Sequence, residues 1–276
     1  MKKIYLCAIS NIRSGVCTED CKFCTQSVKW KSPIKRYKQK EIDTIVNEAK
    51  NAKKYKASGF CLVTSGKSLD DETLEYVCKA TKAILKEVNI SIIACNGTAD
   101  RQKLKELKKA GVTIYNHNLE TSREYYPEIC TTHSWDERFE TCENIKSVGL
   151  KLCSGGIFGM GESESDIKSL INSLKILNPN GIPLNFFIEN SALPLKATHN
   201  KEFALNVIKK FANEFKNSII MLAGGREVVF KDKWIEAIKV GANSIVIGDY
   251  LTTKGEKANN DLATLQKEGF EIANEC

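Results

Sequence analysis

A chain of 276 residues with 42% apolar and 27% charged positions can bury a large core under a well-solvated surface. Its net charge of +7 comes from lysines scattered over helical stretches such as KKYK and LKELKK, not from an arginine-aromatic stripe, which argues against nucleic-acid binding. No run approaches the roughly 20 apolar residues that span a bilayer, and eleven irregularly spaced cysteines in so long a chain do not make a secreted disulfide scaffold.

The opening MKKIYLCAIS is too short in its apolar part for a signal peptide and has no small-residue cleavage site. It reads as a buried strand of a cytoplasmic protein. From there, short β-branched runs alternate with amphipathic helical patterns. The strands are expected at Ile4–Ser10, Phe60–Thr64, Ile90–Cys95, Thr113–Asn118, Lys151–Phe158, Leu184–Ile188, Ser218–Ala223 and Ser244–Gly248. Helices are expected over Asp70–Val88, Ser134–Val148, Ser163–Leu177 and Lys201–Phe215, the second opening on a capping box of Ser134 and Glu137. Glycines at 111, 149 and 241 stop helices just before the next strand. Eight such units with short turns predict a parallel (β/α)₈ barrel of TIM type, a single domain over residues 1–276.

The segment Asn11–Gln39 is far longer than an ordinary βα loop, and loops of that length usually carry function. It holds Cys17, Cys21 and Cys24 in the pattern C-x-x-x-C-x-x-C. Three thiolates from one loop can hold three irons of a cubane and leave the fourth iron open to a substrate or cofactor. A zinc site completed by a distant ligand is the other reading, but no second cysteine pair follows at finger spacing.

Active sites of such barrels form at the C-terminal ends of the strands. Cys61, Cys95 and Cys153 lie on three of those strands and can point inward together. Singly, each reads as a small buried hydrophobe; together they make a second iron–sulfur site plausible. Cys7, Cys78, Cys130, Cys142 and Cys276 read as structural. Asn116 and Asn118 close the fourth strand on one face and suit an amide- or urea-like ligand, while His117 faces the other way as a core histidine. Gly155-Gly156 and Gly159-x-Gly161-Glu162 allow close backbone approach with a carboxylate acceptor. Arg226, after Gly224-Gly225, needs an anionic partner if it lies in the barrel mouth.

The cysteine loop, with Phe23 before its last cysteine, resembles the radical S-adenosylmethionine superfamily. With FCLVTS, YNHNLETS, KLCSGGIFGMGE and AGGRE in this order, the chain from about Ile9 to Leu262 resembles the biotin synthases. That resemblance implies a [4Fe–4S] cluster on Cys17, Cys21 and Cys24, whose open iron binds S-adenosyl-L-methionine and cleaves it to a 5′-deoxyadenosyl radical. It implies a [2Fe–2S] cluster on Cys61, Cys95, Cys153 and Arg226, whose sulfide is inserted between C9 and C6 of dethiobiotin. Asn118 and Asn185 would meet the ureido ring, Arg138 the methionyl carboxylate, Glu120 the ribose, and Thr252-Thr253 the substrate carboxylate. A flavodoxin- or ferredoxin-type electron donor, iron–sulfur assembly proteins and a homodimer are implied in the same way. The chain departs from the pattern at Phe23 (usually tyrosine), Thr25 (usually proline) and Glu120 (usually aspartate). A hydrogenase-maturase-like or methylornithine-synthase-like enzyme, or a metal-stabilised barrel without catalysis, would need fewer of these residues at once.

Overall fold

The computed structural model describes residues 3–274; Cys276 lies outside them. Its elements run β1 (Lys3–Arg13), α1 (Ile42–Lys54), β2 (Gly59–Thr64), α2 (Asp71–Glu87), β3 (Ser91–Cys95), α3 (Arg101–Ala110), β4 (Val112–Asn116), α4 (Tyr126–Ile129), α5 (Trp135–Ser147), β5 (Lys151–Cys153), β6 (Gly156–Phe158), α6 (Glu164–Leu177), β7 (Gly181–Phe186), α7 (Lys201–Glu214), β8 (Ile219–Leu222), α8 (Arg226–Val229), α9 (Ile235–Val240), β9 (Ser244–Val246), α10 (Ala258–Lys267) and β10 (Glu271–Ile272). Strands β1 to β5, then β7, β8 and β9, pair in parallel order. The cylinder closes where β9 meets β1, with Tyr5 opposite Ser244 and Cys7 opposite Val246. The expected barrel is present.

Two differences from the sequence pattern have a local cause. The single run expected over Lys151–Phe158 is two pieces, β5 and β6, broken at Ser154-Gly155. At the break the backbones nearly touch: a Cβ on Gly155 would lie 2.0 Å from the Pro183 carbonyl oxygen, and one on Gly156 would lie 2.6 Å from that of Glu120. Only glycine fits. Strand β7 begins at Gly181, earlier than its apolar run suggests, and carries Pro183 where the missing N–H faces that break. Strand β10, which adds to the start of β1, is too short to read from periodicity.

The helices start where their caps say. Asp70 accepts from Thr73 N at 2.7 Å, and Ser134 and Glu137 bond each other's backbone N–H reciprocally. Between strands and helices runs one apolar core from Ile4 to Leu265. A second, smaller core fills the barrel itself: Cys7, Cys61, Val63, Ile93, Ile114 and Cys153, packed by Ile9, Cys95 and Met221. Among the described residues no helix is long and apolar enough to cross a membrane.

Candidate active site

Between β1 and α1 the chain makes a loop whose neck is closed by a bridge between Ser14 and Tyr37. Inside it, the backbone oxygen of every motif cysteine is taken. Val28 N donates to Cys17 O at 2.8 Å, Cys24 N and Trp30 Nε1 to Cys21 O at 3.0 and 2.9 Å, and Ser27 N to Cys24 O at 3.3 Å. The loop is thus fixed largely through its main chain. Burial raises the thiol pKa of Cys17, and pushes that of Cys24 up to about 11, with Cys17 and Glu120 adding to the latter. Three thiols on one loop whose ionisation burial opposes become thiolates together against a metal's positive charge. The donor set therefore fits a cluster bound by three thiolates.

A neighbour escaped the sequence reading. Cys130, taken there as structural, stands 3.7 Å from Cys21, sulfur to sulfur, and 3.3 Å from His133 Nδ1. His133 Nδ1 is in turn 2.7 Å from Glu19. Cys21, Cys130 and His133 have ligand atoms within 4.8 Å of one another. Their mutual hydrogen bond raises the pKa of Cys21 and lowers that of Cys130, so one proton serves both sulfurs. The C-x-x-H spacing from Cys130 to His133 was the available signal.

Beside the loop lies an ion pair. Arg138, in the first turn of α5, places Nη2 3.1 Å from Glu120 Oε1 and donates through Nε to Asn118 O at 2.6 Å. Glu120 has φ +70, a left-handed backbone that a non-glycine residue holds at a cost. It is pinned by Ile157 N on its carbonyl at 2.8 Å and by its own N–H on Gly155 O. Burial raises its carboxyl pKa against the pull of Arg138, and Oε2 is buried without a hydrogen-bond partner. That acceptor fits a ligand hydroxyl. Both thiol sets feel the pair: Glu120 acts on Cys24 and Cys95, and Arg138 on Cys21 and Cys95.

Inside the barrel, β2, β3 and β5 bring Cys61, Cys95 and Cys153 into one packed group, as their spacing suggested. Burial pushes the Cys95 thiol up to about 11, against a hydrogen bond from Asn116 Nδ2 at 3.3 Å. Asn116 Oδ1 is buried and unsatisfied. Asn118 accepts from Gly155 N through Oδ1 at 3.1 Å. Asn185 uses both ends on backbone, donating to Gly156 O at 3.2 Å and accepting from Gly224 N at 2.9 Å. Thr252 reaches the loop between β1 and α1, with its hydroxyl 2.9 Å from that of Thr25. Glu162 folds onto its own loop, accepting from Gly159 and Met160 N. His117 is buried with Nε2 unpartnered.

Arg226 is not brought to the thiols. Its guanidinium is 1% exposed and makes a two-pronged pair with Asp261 of α10, both contacts 2.9 Å. Nε and Nη2 also donate to Glu227, at 3.1 and 2.9 Å, and the group lies 4.9 Å over the Trp234 ring. The anionic partner demanded by its burial is a carboxylate of the outer layer. The expectation that Arg226 ligates the second cluster is corrected accordingly.

Comparison with known proteins fits this geometry. The Radical SAM superfamily profile matches residues 11–174, and that of the Biotin and Thiamin Synthesis associated domain matches residues 183–271. A biotin synthase of Nautilia profundicola is 78% identical over 276 residues, covering all of both chains, and one of Nitratiruptor sp. is 55% identical over 99% of each. Among solved structures, a methylornithine synthase superposes with TM-score 0.84 at 17% identity over 98% of this chain and 84% of the other. The hydrogenase maturase HydG of Carboxydothermus hydrogenoformans gives TM-score 0.84 at 17% identity over 98% and 68%. These last two share the barrel, whereas the full-length identities decide the family. The chain belongs to the biotin synthases, sulfurtransferases of the radical S-adenosylmethionine superfamily.

Proposed function

We propose that this chain inserts sulfur into dethiobiotin to make biotin, with Cys17, Cys21 and Cys24 holding a [4Fe–4S] cluster and Cys61, Cys95 and Cys153 holding most of a [2Fe–2S] cluster. When bound, the first cluster with S-adenosyl-L-methionine supplies the 5′-deoxyadenosyl radical, and the second supplies the sulfur. The observation that carries the reading is the packing of Cys61, Cys95 and Cys153 into one group inside the barrel of a chain that also bears the three-cysteine loop.

The chain's own residues then have distinct tasks. Arg138 is already half-neutralised by Glu120 and can pair with the carboxylate of S-adenosyl-L-methionine. The free Oε2 of Glu120 accepts a ribose hydroxyl. Asn118 has its Oδ1 on Gly155 and its amide toward the Glu120 carboxylate, which leaves one N–H for a ureido carbonyl. Asn185, tied at both ends, shapes that pocket mainly by fixing Gly156 and Gly224. Thr252 and Thr253 offer hydroxyls to the substrate carboxylate. The apolar residues around the interior thiols keep water from the sulfide. We further assign the loop at residues 11–39 as the cluster-binding part of one domain, the chain to the cytoplasm, its electrons to a flavodoxin- or ferredoxin-type donor, its cluster repair to iron–sulfur assembly proteins, and its quaternary state to a homodimer.

Anaerobically reconstituted protein given dethiobiotin, S-adenosyl-L-methionine and a reductant is expected to form biotin and 5′-deoxyadenosine. Cleavage of S-adenosyl-L-methionine without biotin, from protein carrying a single cluster type, would overturn the reading.

A further inference from the structure

Three interior thiols leave one place on a two-iron centre to fill, since each iron of such a centre takes two protein ligands. Arg226 does not fill it, because each of its guanidinium nitrogens already donates to Asp261 or Glu227. Another residue stands inside the barrel with the right chemistry. Cys7 of β1 is 4% exposed and belongs to the same packed group as Cys61 and Cys153, with Cys95 and Met221 against it.

The strand register says how these residues stack. Cys7 pairs with Gly59, two residues before Cys61 on β2, and Val63, two residues after Cys61, pairs with Cys95. On the far wall Asn116 pairs with Cys153, Cys153 with Gly181, and Gly181 with Ile219, two residues before Met221. Side chains two apart share a face, so all four cysteines and Met221 point into the barrel. In a barrel of this type alternate strands fill successive layers. Cys7, Ile93, Cys153 and Met221 come from alternate strands and form one such layer, with Cys61 and then Cys95 above it. Cys7 and Cys153 thus face each other across the barrel beneath the other two thiols.

We propose that Cys7 is the fourth protein ligand of the interior iron–sulfur site, making it a four-thiolate site in this chain. The inference rests on the reading that a second cluster is bound there. Thiolate is the ligand of choice for iron in such centres, whereas the Arg226 guanidinium is held charged by Asp261 and Glu227. Each of the four thiols gives up its proton as iron and sulfide are taken up, with no change of oxidation state required of the protein. The site then carries one more negative charge than three thiolates with a neutral fourth ligand. That charge places its reduction potential lower, since net charge is one of the determinants of cluster potential.

The test compares wild type, Cys7→Ser, Cys7→Ala and Met221→Leu, all reconstituted without oxygen, by iron and sulfide content and Mössbauer spectroscopy. Formation of 5′-deoxyadenosine reports whether fold and loop cluster survive. Cys7→Ala is expected to lose the interior cluster's doublet and its iron while still cleaving S-adenosyl-L-methionine. Cys7→Ser, nearly isosteric, should bind iron more weakly with a changed doublet, and Met221→Leu should match wild type. An unchanged interior signal in both Cys7 variants would overturn the assignment and leave the second-cluster reading standing. So would its loss in Met221→Leu alone, which would hand the place to the thioether. A wild-type protein without any interior signal would overturn both. A measurement that needs no variant is pulsed EPR on reduced wild type labelled with ¹⁵N-arginine. No ligand-strength nitrogen coupling is expected, and finding one would return the site to an arginine.

Discussion

The two groups of cysteines use one ligand type under opposite physical regimes. Cys17, Cys21 and Cys24 sit half-buried on a loop fixed by main-chain hydrogen bonds. Cys61 and Cys153 sit on strands, buried among Val63, Ile93 and Ile114, where the barrel wall sets their positions. A loop can hold a metal and still admit a ligand the size of S-adenosyl-L-methionine. A strand wall holds its sulfurs at nearly fixed places away from water, which suits an atom that must not be lost before it is used. Separate access and separate rigidity mean that the two sets should fail separately.

The largest effect should come from the loop. Cys24→Ala removes one of three anchors, and both 5′-deoxyadenosine and biotin are expected to fall below detection in an anaerobic turnover assay. Persisting 5′-deoxyadenosine would break the comparison at its accessible end. Cys153→Ala comes next: it should keep cleavage of S-adenosyl-L-methionine and lose biotin, read by chromatography of both products. Equal loss of the two would mean that the sets are not independent.

How far the sequence reached follows the same division. Periodicity and glycine stops gave the barrel because strand and helix spacing are local properties of the chain. The spacing of Cys17, Cys21 and Cys24 made the loop legible for the same reason. The inward set required knowing which strand residues share a layer, and that depends on register between strands far apart in sequence. Cys61, Cys95 and Cys153 were reachable from their places near strand ends, but Cys7 looked like any small residue in a buried strand. Arg226 shows the reverse error. Gly224-Gly225 before it suggested a barrel-mouth position, and nothing local revealed that Asp261, thirty-five residues on, holds it outside. Cys130 and His133 likewise meet Cys21 only through the fold.

That error can be turned into a test of which region Arg226 serves. Breaking a buried pair by neutralising one partner costs about 3–5 kcal/mol, because the remaining charge stays buried. Asp261→Asn should therefore lower stability by about that much in anaerobic denaturant unfolding, somewhat relieved by the contact with Glu227, 28% exposed. Cluster content in the folded protein should stay at the wild-type level. Unchanged stability with loss of the interior cluster would put Arg226 back among the thiols.

The smallest effect sharpens the comparison at the place where both regions meet. Arg138 lies just past the capping box of α5, so the order of that first turn sets where its guanidinium stands against Glu120 and the Asn118 carbonyl. Ser134→Ala leaves Glu137 N without its side-chain acceptor and costs about 1 kcal/mol of stability. If the turn merely positions Arg138 for binding, the KM for S-adenosyl-L-methionine should rise by no more than about fivefold, the limit that about 1 kcal/mol allows, while kcat for 5′-deoxyadenosine stays level. A fall in kcat with KM unchanged would mean instead that Arg138 acts after the ligand is bound. In that case its charge would be serving the reaction, and the ion pair between the two thiol sets would couple them.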